Sequence, residues 1–296
     1  MKRTCVICNP NAGGATDIDA LRTQLAGLES AAIHFTARAG EATELAREAV
    51  AQGCETIIAA GGDGTLNEVI NGIAEHTQNV IIGLVPLGTG NDFARMLTLP
   101  AGVADCVDLL RDADTRAVDL VRVTSDRVRY FINVSAGGFS GAVDDALTPE
   151  IKQRWGPLAY LRCAAEALPK LEPYRTQITL DDSTTTEFDL YNVVIANGRY
   201  VAGGTPIAPA ALIDDGLLDV VLVPAHEAGD LAVTAAQIAL GQHLESERII
   251  FRRAAKVAIT STPGISFNVD GELIGSEPAV FEVLPRAVQF LAGAAT

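Results

Sequence analysis

Apolar and polar positions follow two different rhythms along this chain. Thr4 to Cys8 is a short apolar run that ends in a turn-rich loop, Asn9-Pro10-Asn11-Ala12-Gly13-Gly14. Ile18, Leu21, Leu25 and Leu28 then recur at helical spacing, and Ala32 to Thr36 reads as a second strand. Glu41 to Gln52 predicts a helix with Leu45, Ala46, Ala49 and Val50 inward. Thr56 to Ala60 is a third apolar run. It breaks at Gly61-Gly62-Asp63-Gly64-Thr65, after which Leu66, Val69, Ile70 and Ile73 restore the helical period. Val80 to Val85 reads as a strand and leads into Pro86-Leu87-Gly88-Thr89-Gly90-Asn91-Asp92. A short helix from about Phe93 and another over Val103 to Leu110 follow. Strands alternating with helices through short loops predict βαβ units and a parallel sheet.

The rhythm changes near Thr115. Ala117 to Thr124, Arg129 to Ser135, Gln177 to Leu180, Phe188 to Ala196, Leu217 to Val223, Lys256 to Thr260, Ile265 to Val269 and Ala279 to Leu284 read as strands. Asp181-Asp182, Asn197-Gly198 and Asp270-Gly271 are turn signals between them. Helical stretches interrupt this pattern at about Pro157 to Leu168 and Asp230 to Gly241. The expected architecture is an α/β domain with a parallel sheet over 1–124 and a mainly antiparallel β-sandwich domain over 125–285. The last residues, about 286–296, are expected to return to the first domain.

The glycine loop carries the first chemical hint. Three residues without a Cβ let a phosphate approach the backbone, and the helix that follows presents free N–H groups and the positive end of its dipole. Asp63 would repel bare phosphate, so the loop points to a metal–phosphate ligand. A tight strand-to-helix connection is the plain alternative. The loop lacks the Lys of a Walker A motif and the spacing of a dinucleotide fingerprint. Ligands of parallel sheets gather beyond the carboxyl ends of strands. Three loops rich in Gly, Asn or Thr leave strands at that edge: 9–14, 61–65 and 86–92.

Composition narrows the field. Hydrophobic residues make up 48% and charged residues 20%, which fits a packed enzyme and not a disordered chain. The formal net charge of -15 argues against nucleic acid as a partner and against strong adsorption to an anionic bilayer. Met1-Lys2-Arg3 precedes an apolar run too short for a signal-peptide core, and no run of 18 apolar residues occurs. The expected location is cytoplasmic, so the five cysteines are expected to be reduced thiols. Cys5 and Cys8 form a lone C-x-x-C within an apolar strand, and the four histidines form neither a metal cluster nor a triad.

The order and spacing of the motifs resemble one family. They are Asn9-Pro10 with Gly13-Gly14, Gly61-Gly62-Asp63-Gly64-Thr65 with Asn67-Glu68, and Leu87-Gly88-Thr89-Gly90-Asn91-Asp92-Phe93-Ala94. Asn133 with Gly137-Gly138-Phe139, Asn197-Gly198 with Gly203-Gly204, and Ile207-Ala208-Pro209-Ala210 come next. Asp215-Gly216-Leu217-Leu218-Asp219 and Asp270-Gly271-Glu272 complete the set. Nearly the whole chain is similar to the soluble bacterial diacylglycerol kinase-like lipid kinases, relatives of sphingosine and ceramide kinases.

That resemblance implies a nucleotide domain, a lipid domain and a cleft between them. It implies that Gly61, Gly62, Asp63, Gly64, Thr65, Leu66, Asn67 and Glu68 contact ATP. Asn9, Thr36, Gly88, Thr89, Asn91 and Asp92 complete the expected nucleotide set. Asp63 would engage Mg²⁺–ATP, and Glu272 would accept the proton of a lipid hydroxyl. An ordinary Asp-Gly hairpin is the plain alternative for Glu272. A second magnesium is implied at the carbonyls of Leu212 and Leu217 with the Asp215 side chain; a solvated type I turn is the alternative there. Trp155 would either anchor at a bilayer or cap a helix against the sheet.

The expected reaction transfers the γ-phosphoryl group of ATP to diacylglycerol, giving phosphatidic acid. Phosphatidylglycerol, a sphingoid base and NAD are the alternative acceptors. A non-catalytic lipid or nucleotide sensor is the alternative of another class. The expected partners are ATP, a lipid alcohol and, transiently, the inner face of the membrane; a homodimer is left open.

Overall fold

Strand β3 (Thr56–Gly61) runs through the middle of the parallel part of the sheet, and all six of its residues are buried. β1 (Thr4–Cys8) lies on one side of it and β4 (Ile81–Pro86) on the other, both parallel; β2 (Ala32–Phe35) pairs with the outer side of β1. This arrangement comes from a computed structural model that describes residues 3–13, 17–28, 32–139, 172–225, 246–275 and 278–293, with Gln237 and His243. Strands covered on both faces are apolar at nearly every position, which is why they read as near-continuous runs and not as alternation.

Strand geometry sends successive side chains to opposite faces. Cys5, Ile7, Ile57, Ala59, Ile82 and Leu84 meet α2 (Glu41–Ala51) and α3 (Asp63–Ile73) through Ala46, Leu66, Val69 and Ile70. Val6, Cys8, Ile58, Ala60 and Val85 meet α1 (Ile18–Leu25) and α5 (Val103–Asp112) through Leu21, Leu25, Cys106 and Val107. Cys5, Cys8, Cys54 and Cys106 are free and buried. Burial pushes the Cys8 and Cys106 thiols up to about 11, so they pack as small apolar groups.

Antiparallel pairing takes over after α5. β5 (Asp114–Thr124) pairs along most of its length with β17 (Ala279–Ala292), across a bulge between Leu284 and Val288. The far end of β17 turns parallel to β4, with Gln289 opposite Ile81. One strand therefore joins both halves into a single mixed sheet of 15 strands among the described residues. Beyond β17 the sheet continues through β14 (Lys256–Thr262), β8 (Tyr174–Leu180), β9 (Thr186–Ala196), β7 (Val134–Gly138), β15 (Phe267–Val269) and β16 (Glu272–Ile274). β10 (Tyr200–Val201) and β11 (Thr205–Pro206) form a separate two-stranded pair; β12 (Leu218–Pro224) attaches to β9 and carries β13 (Ile250–Ala254), and β6 (Val128–Phe131) attaches to β5. Phe131, Phe267 and Phe281 pack edge to face within this second core, with Phe281 at the centre.

Three departures from the sequence pattern have physical causes. Arg129 to Ser135 is not one strand: it breaks at Ile132–Asn133, where the Asp270 carboxylate takes the backbone amides. Ala279 to Leu284 does not stop there, because the bulge absorbs Pro285 and Arg286 and the strand runs on. β13 was not expected as a strand; among the described residues it pairs only with β12. The expected helix over Pro157 to Leu168, with Trp155 before it, and that over Asp230 to Gly241 lie outside the described residues, apart from Gln237.

Candidate active site

The three loops expected at the carboxyl edge of the parallel strands meet there. A Cβ placed on Gly13 would lie 2.1 Å from the Leu87 carbonyl oxygen, and one on Gly88 would lie 2.7 Å from the Gly62 Cα. Loop backbones this close leave no room for a side chain. Asn9 donates to the Thr65 hydroxyl at 3.3 Å and accepts the Asn11 amide at 3.0 Å, which ties the first loop to the first turn of α3.

A cleft of about 350 Å³ opens beside this junction, lined by Asn9, Asn11, Thr36, Arg38, Gly64, Thr65 and Glu68 together with alanines of α2 and of the loop that leads into it. Gly62 caps α3 without a side-chain hydrogen bond, so the first-turn amides are left for another acceptor. A Cβ on Gly64 would meet nothing within 4 Å. Glu68 holds the Ala42 amide at 3.0 Å at the start of α2, and the Thr43 hydroxyl donates to the Glu68 carbonyl at 2.9 Å. These bonds fix the angle between the two helices that flank the cleft.

The other expected nucleotide residues stand apart from the cleft lining. Leu66 packs in the core beneath α3. Asn67 is buried and accepts from the Asn71 side chain at 2.7 Å. Thr89 is exposed on the neighbouring loop, where Asn91 adopts a left-handed backbone and donates to the Gly88 carbonyl at 2.6 Å.

Asp63 does work that its motif did not advertise. Its two oxygens accept the amides of Asp92 and Phe93 at 3.1 Å each, capping α4 (Asp92–Met96) from another loop. Asp92 in turn accepts the Gly203 amide at 3.0 Å and pairs with Arg95 at 2.9 Å. Burial raises the Asp92 carboxyl above its ordinary range; the Gly203 amide pulls it down and the charge of Asp63 pushes it up again. A chain of carboxylates and amides thus runs from the glycine loop into the β-rich half.

The Asp270-Gly271-Glu272 turn lies near enough to feel the same charge. Asp270 accepts the Ile132 and Val134 amides at 3.0 Å each and the Asn133 amide at 3.4 Å. The residue keeps some surface, but its carboxylate is walled in by protein. Burial pushes that carboxyl up to about 6 against the pull of the three amides, and Asp63 adds to the rise. Glu272, about half exposed, begins β16 and pairs with Arg129 at 3.3 Å. Asn71 of α3 exchanges two hydrogen bonds with the Tyr130 backbone, at 2.8 and 3.0 Å, so the strand carrying Arg129 is locked to the helix that follows the glycine loop.

The turn expected to hold a second metal is built around acidic side chains that already have protein partners. Asp119 anchors this turn by accepting the Gly216 and Arg286 amides at 2.7 Å each. Asp215 accepts the Leu217 amide at 3.1 Å, and its other oxygen bonds Arg253. Leu212 is exposed. Asp219 is 1% exposed, and neither of its oxygens has a hydrogen-bond partner. Arg253 stands between it and Asp215, 3.5 Å from Asp219, and a turn that already holds a guanidinium between two carboxylates fits a cation. No group of three or more His, Cys, Asp or Glu side chains is arranged to hold a metal ion among the described residues.

Arg129, Arg253 and Asp119 were missed by sequence reasoning. Each acts through a partner distant in the chain, and none sits in a motif.

Comparison with known proteins fixes the family. Residues 3–123 match the diacylglycerol kinase catalytic domain, and residues 133–292 match the YegS C-terminal NAD kinase beta sandwich-like domain. A diacylglycerol kinase of Staphylococcus carnosus is 34% identical over 97% of this chain and 94% of its own length. The diacylglycerol kinase of Bacillus subtilis is 33% identical over 97% of this chain and 95% of its own. A crystal structure of a diacylglycerol kinase from Bacillus anthracis superposes with a TM-score of 0.74 at 24% identity, over 99% of this chain and 97% of that one. An NAD kinase from Archaeoglobus fulgidus, crystallised with ATP, shares the fold at a TM-score of 0.55 and 12% identity, over 97% and 93% of the two chains. The chain belongs to the diacylglycerol kinase family of lipid kinases. No helix among the described residues is long and apolar enough to cross a membrane.

Proposed function

We propose that this kinase transfers the γ-phosphoryl group of ATP to the free hydroxyl of diacylglycerol at a membrane surface. The observation that carries the reading is the junction at Gly64: a helix start without a side-chain cap, with open space above a glycine, beside a cleft of about 350 Å³. Phosphoryl transfer needs little covalent chemistry from the protein; it needs positioning and charge stabilisation. The first turn of α3 would receive the phosphates, and Asn9, Thr36 and Thr65 would line the nucleotide. Asp63 would engage a magnesium ion carried by the nucleotide, which would supply neutralising charge for the phosphates. Glu272 would accept the proton as the lipid oxygen bonds to phosphorus and the bond to ADP breaks.

The Leu212 and Leu217 carbonyls with Asp215 would hold a second magnesium, which would stiffen the turn without entering the reaction. Diacylglycerol is preferred as acceptor because the relatives that match nearly full length carry that name. Labelled ATP supplied with total lipid extract, and separately with NAD, tests the reading, with the product identified by mass. Labelled phosphatidic acid supports it. Labelled NADP, or another lipid phosphate as the main product, replaces the acceptor. Glu272→Gln should bind ATP normally and lose most turnover.

A further inference from the structure

One arginine serves two carboxylates at the Asp215 turn. β12 and β13 pair so that Asp219 stands directly opposite Arg253. The strand register therefore assigns Arg253 to Asp219 as a cross-strand partner. Yet Arg253 reaches past it: its Nη2 bonds Asp215, and its Nε stays 3.5 Å from Asp219. Asp219 is left buried, with both oxygens lacking a hydrogen bond. A buried carboxylate without donors is costly, and a guanidinium carries enough donors to satisfy it through two parallel bonds. The Arg253 side chain is 38% exposed, so it has room to move.

We propose that Arg253 is a built-in cation that holds Asp215 until a divalent ion takes that carboxylate, whereupon the guanidinium falls back onto Asp219. This rests on the reading of the Asp215 turn as a magnesium site. The exchange trades one cation for another at Asp215 and supplies the missing donors to Asp219. It makes the turn self-supporting without metal, and it weakens metal binding by the cost of moving the arginine.

Two substitutions then shift metal affinity in opposite directions. Arg253→Gln removes the competitor, so Mg²⁺ should bind about tenfold more tightly than to the unaltered chain. The same variant should unfold several degrees lower in EDTA, and added Mg²⁺ should recover most of that loss. Asp219→Asn removes the carboxylate that receives the displaced guanidinium, so Mg²⁺ should bind about tenfold more weakly. The measurements are calorimetric titration of the nucleotide-free protein with MgCl₂ and thermal unfolding with and without metal. Equal affinities in all three proteins would leave the metal site standing and overturn the exchange. No Mg²⁺ uptake by any of them would remove the metal reading of this turn, and the exchange with it. A folded Asp219→Asn decides the matter even if Arg253→Gln fails to fold: tighter or unchanged binding there overturns the exchange.

Discussion

Arg129 holds Glu272 in an ion pair, with 3.3 Å between Nη2 and Oε2. The pair is part-exposed, so its worth to global stability is small, on the order of 0.5 kcal/mol. Its value lies in aim: a carboxylate that accepts a proton in the transition state must be held in one place. Arg129→Gln is expected to cut kcat about tenfold while changing the KM for ATP by less than about twofold. Steady-state kinetics with lipid and nucleotide varied separately check this. A larger effect on the KM for ATP than on kcat would assign Arg129 to the nucleotide.

Gly88 and Gly62 touch backbone to backbone. A Cβ on Gly88 would come within 2.7 Å of the Gly62 Cα and 2.8 Å of the Asn91 Oδ1. A backbone atom on one side cannot give way as a flexible side chain does. Gly88→Ala is expected to cost about 2 kcal/mol or more through forced loop displacement. Urea denaturation measures the loss. Unchanged stability would mean that the two loops are not packed as described.

Asp270 should leave a mark on the pH profile of stability. Its carboxyl rises from 3.8 to about 6 on folding. Between those values the folded chain binds more protons than the unfolded chain, so stability falls as pH rises. The contribution is fully present below about pH 4 and is lost above about pH 6. That rise corresponds to at most about 3 kcal/mol. The gap in unfolding free energy between the unaltered chain and Asp270→Asn should therefore narrow from pH 4 to pH 7. A constant gap would place the Asp270 carboxyl in its ordinary range.

The alternation of apolar runs and helical periods was enough to read the parallel half of the sheet, because strands buried on both faces leave continuous apolar runs. The antiparallel half was read less evenly. β13, Ile250-Phe251-Arg252-Arg253-Ala254, hides its alternation behind two adjacent arginines, and among the described residues it pairs with β12 alone. The strand expected to end at Leu284 runs on because Pro285, which cannot donate to a ladder, falls in the bulge between Leu284 and Val288. The sequence named Asp63, Asp215 and Glu272 by their motifs but withheld their partners. Asp63 caps a helix that starts 29 residues later, Glu272 leans on Arg129 from another hairpin, and Arg253 meets Asp215 only because β12 pairs with β13. Local pattern cannot carry such contacts, because they depend on how distant strands fall into register.

Gly64 offers the most direct measurement. A methyl group there meets no protein atom within 4 Å, and alanine favours a helix over glycine by about 1 kcal/mol. Gly64→Ala should therefore be as stable as the unaltered chain or slightly more so. If triphosphate seats against this turn, the added methyl occupies its place. ATP affinity measured by calorimetry should then fall at least about tenfold, with turnover falling alongside it. A variant that is equally stable and binds ATP as tightly as before would contradict the account, because the phosphates would then lie elsewhere.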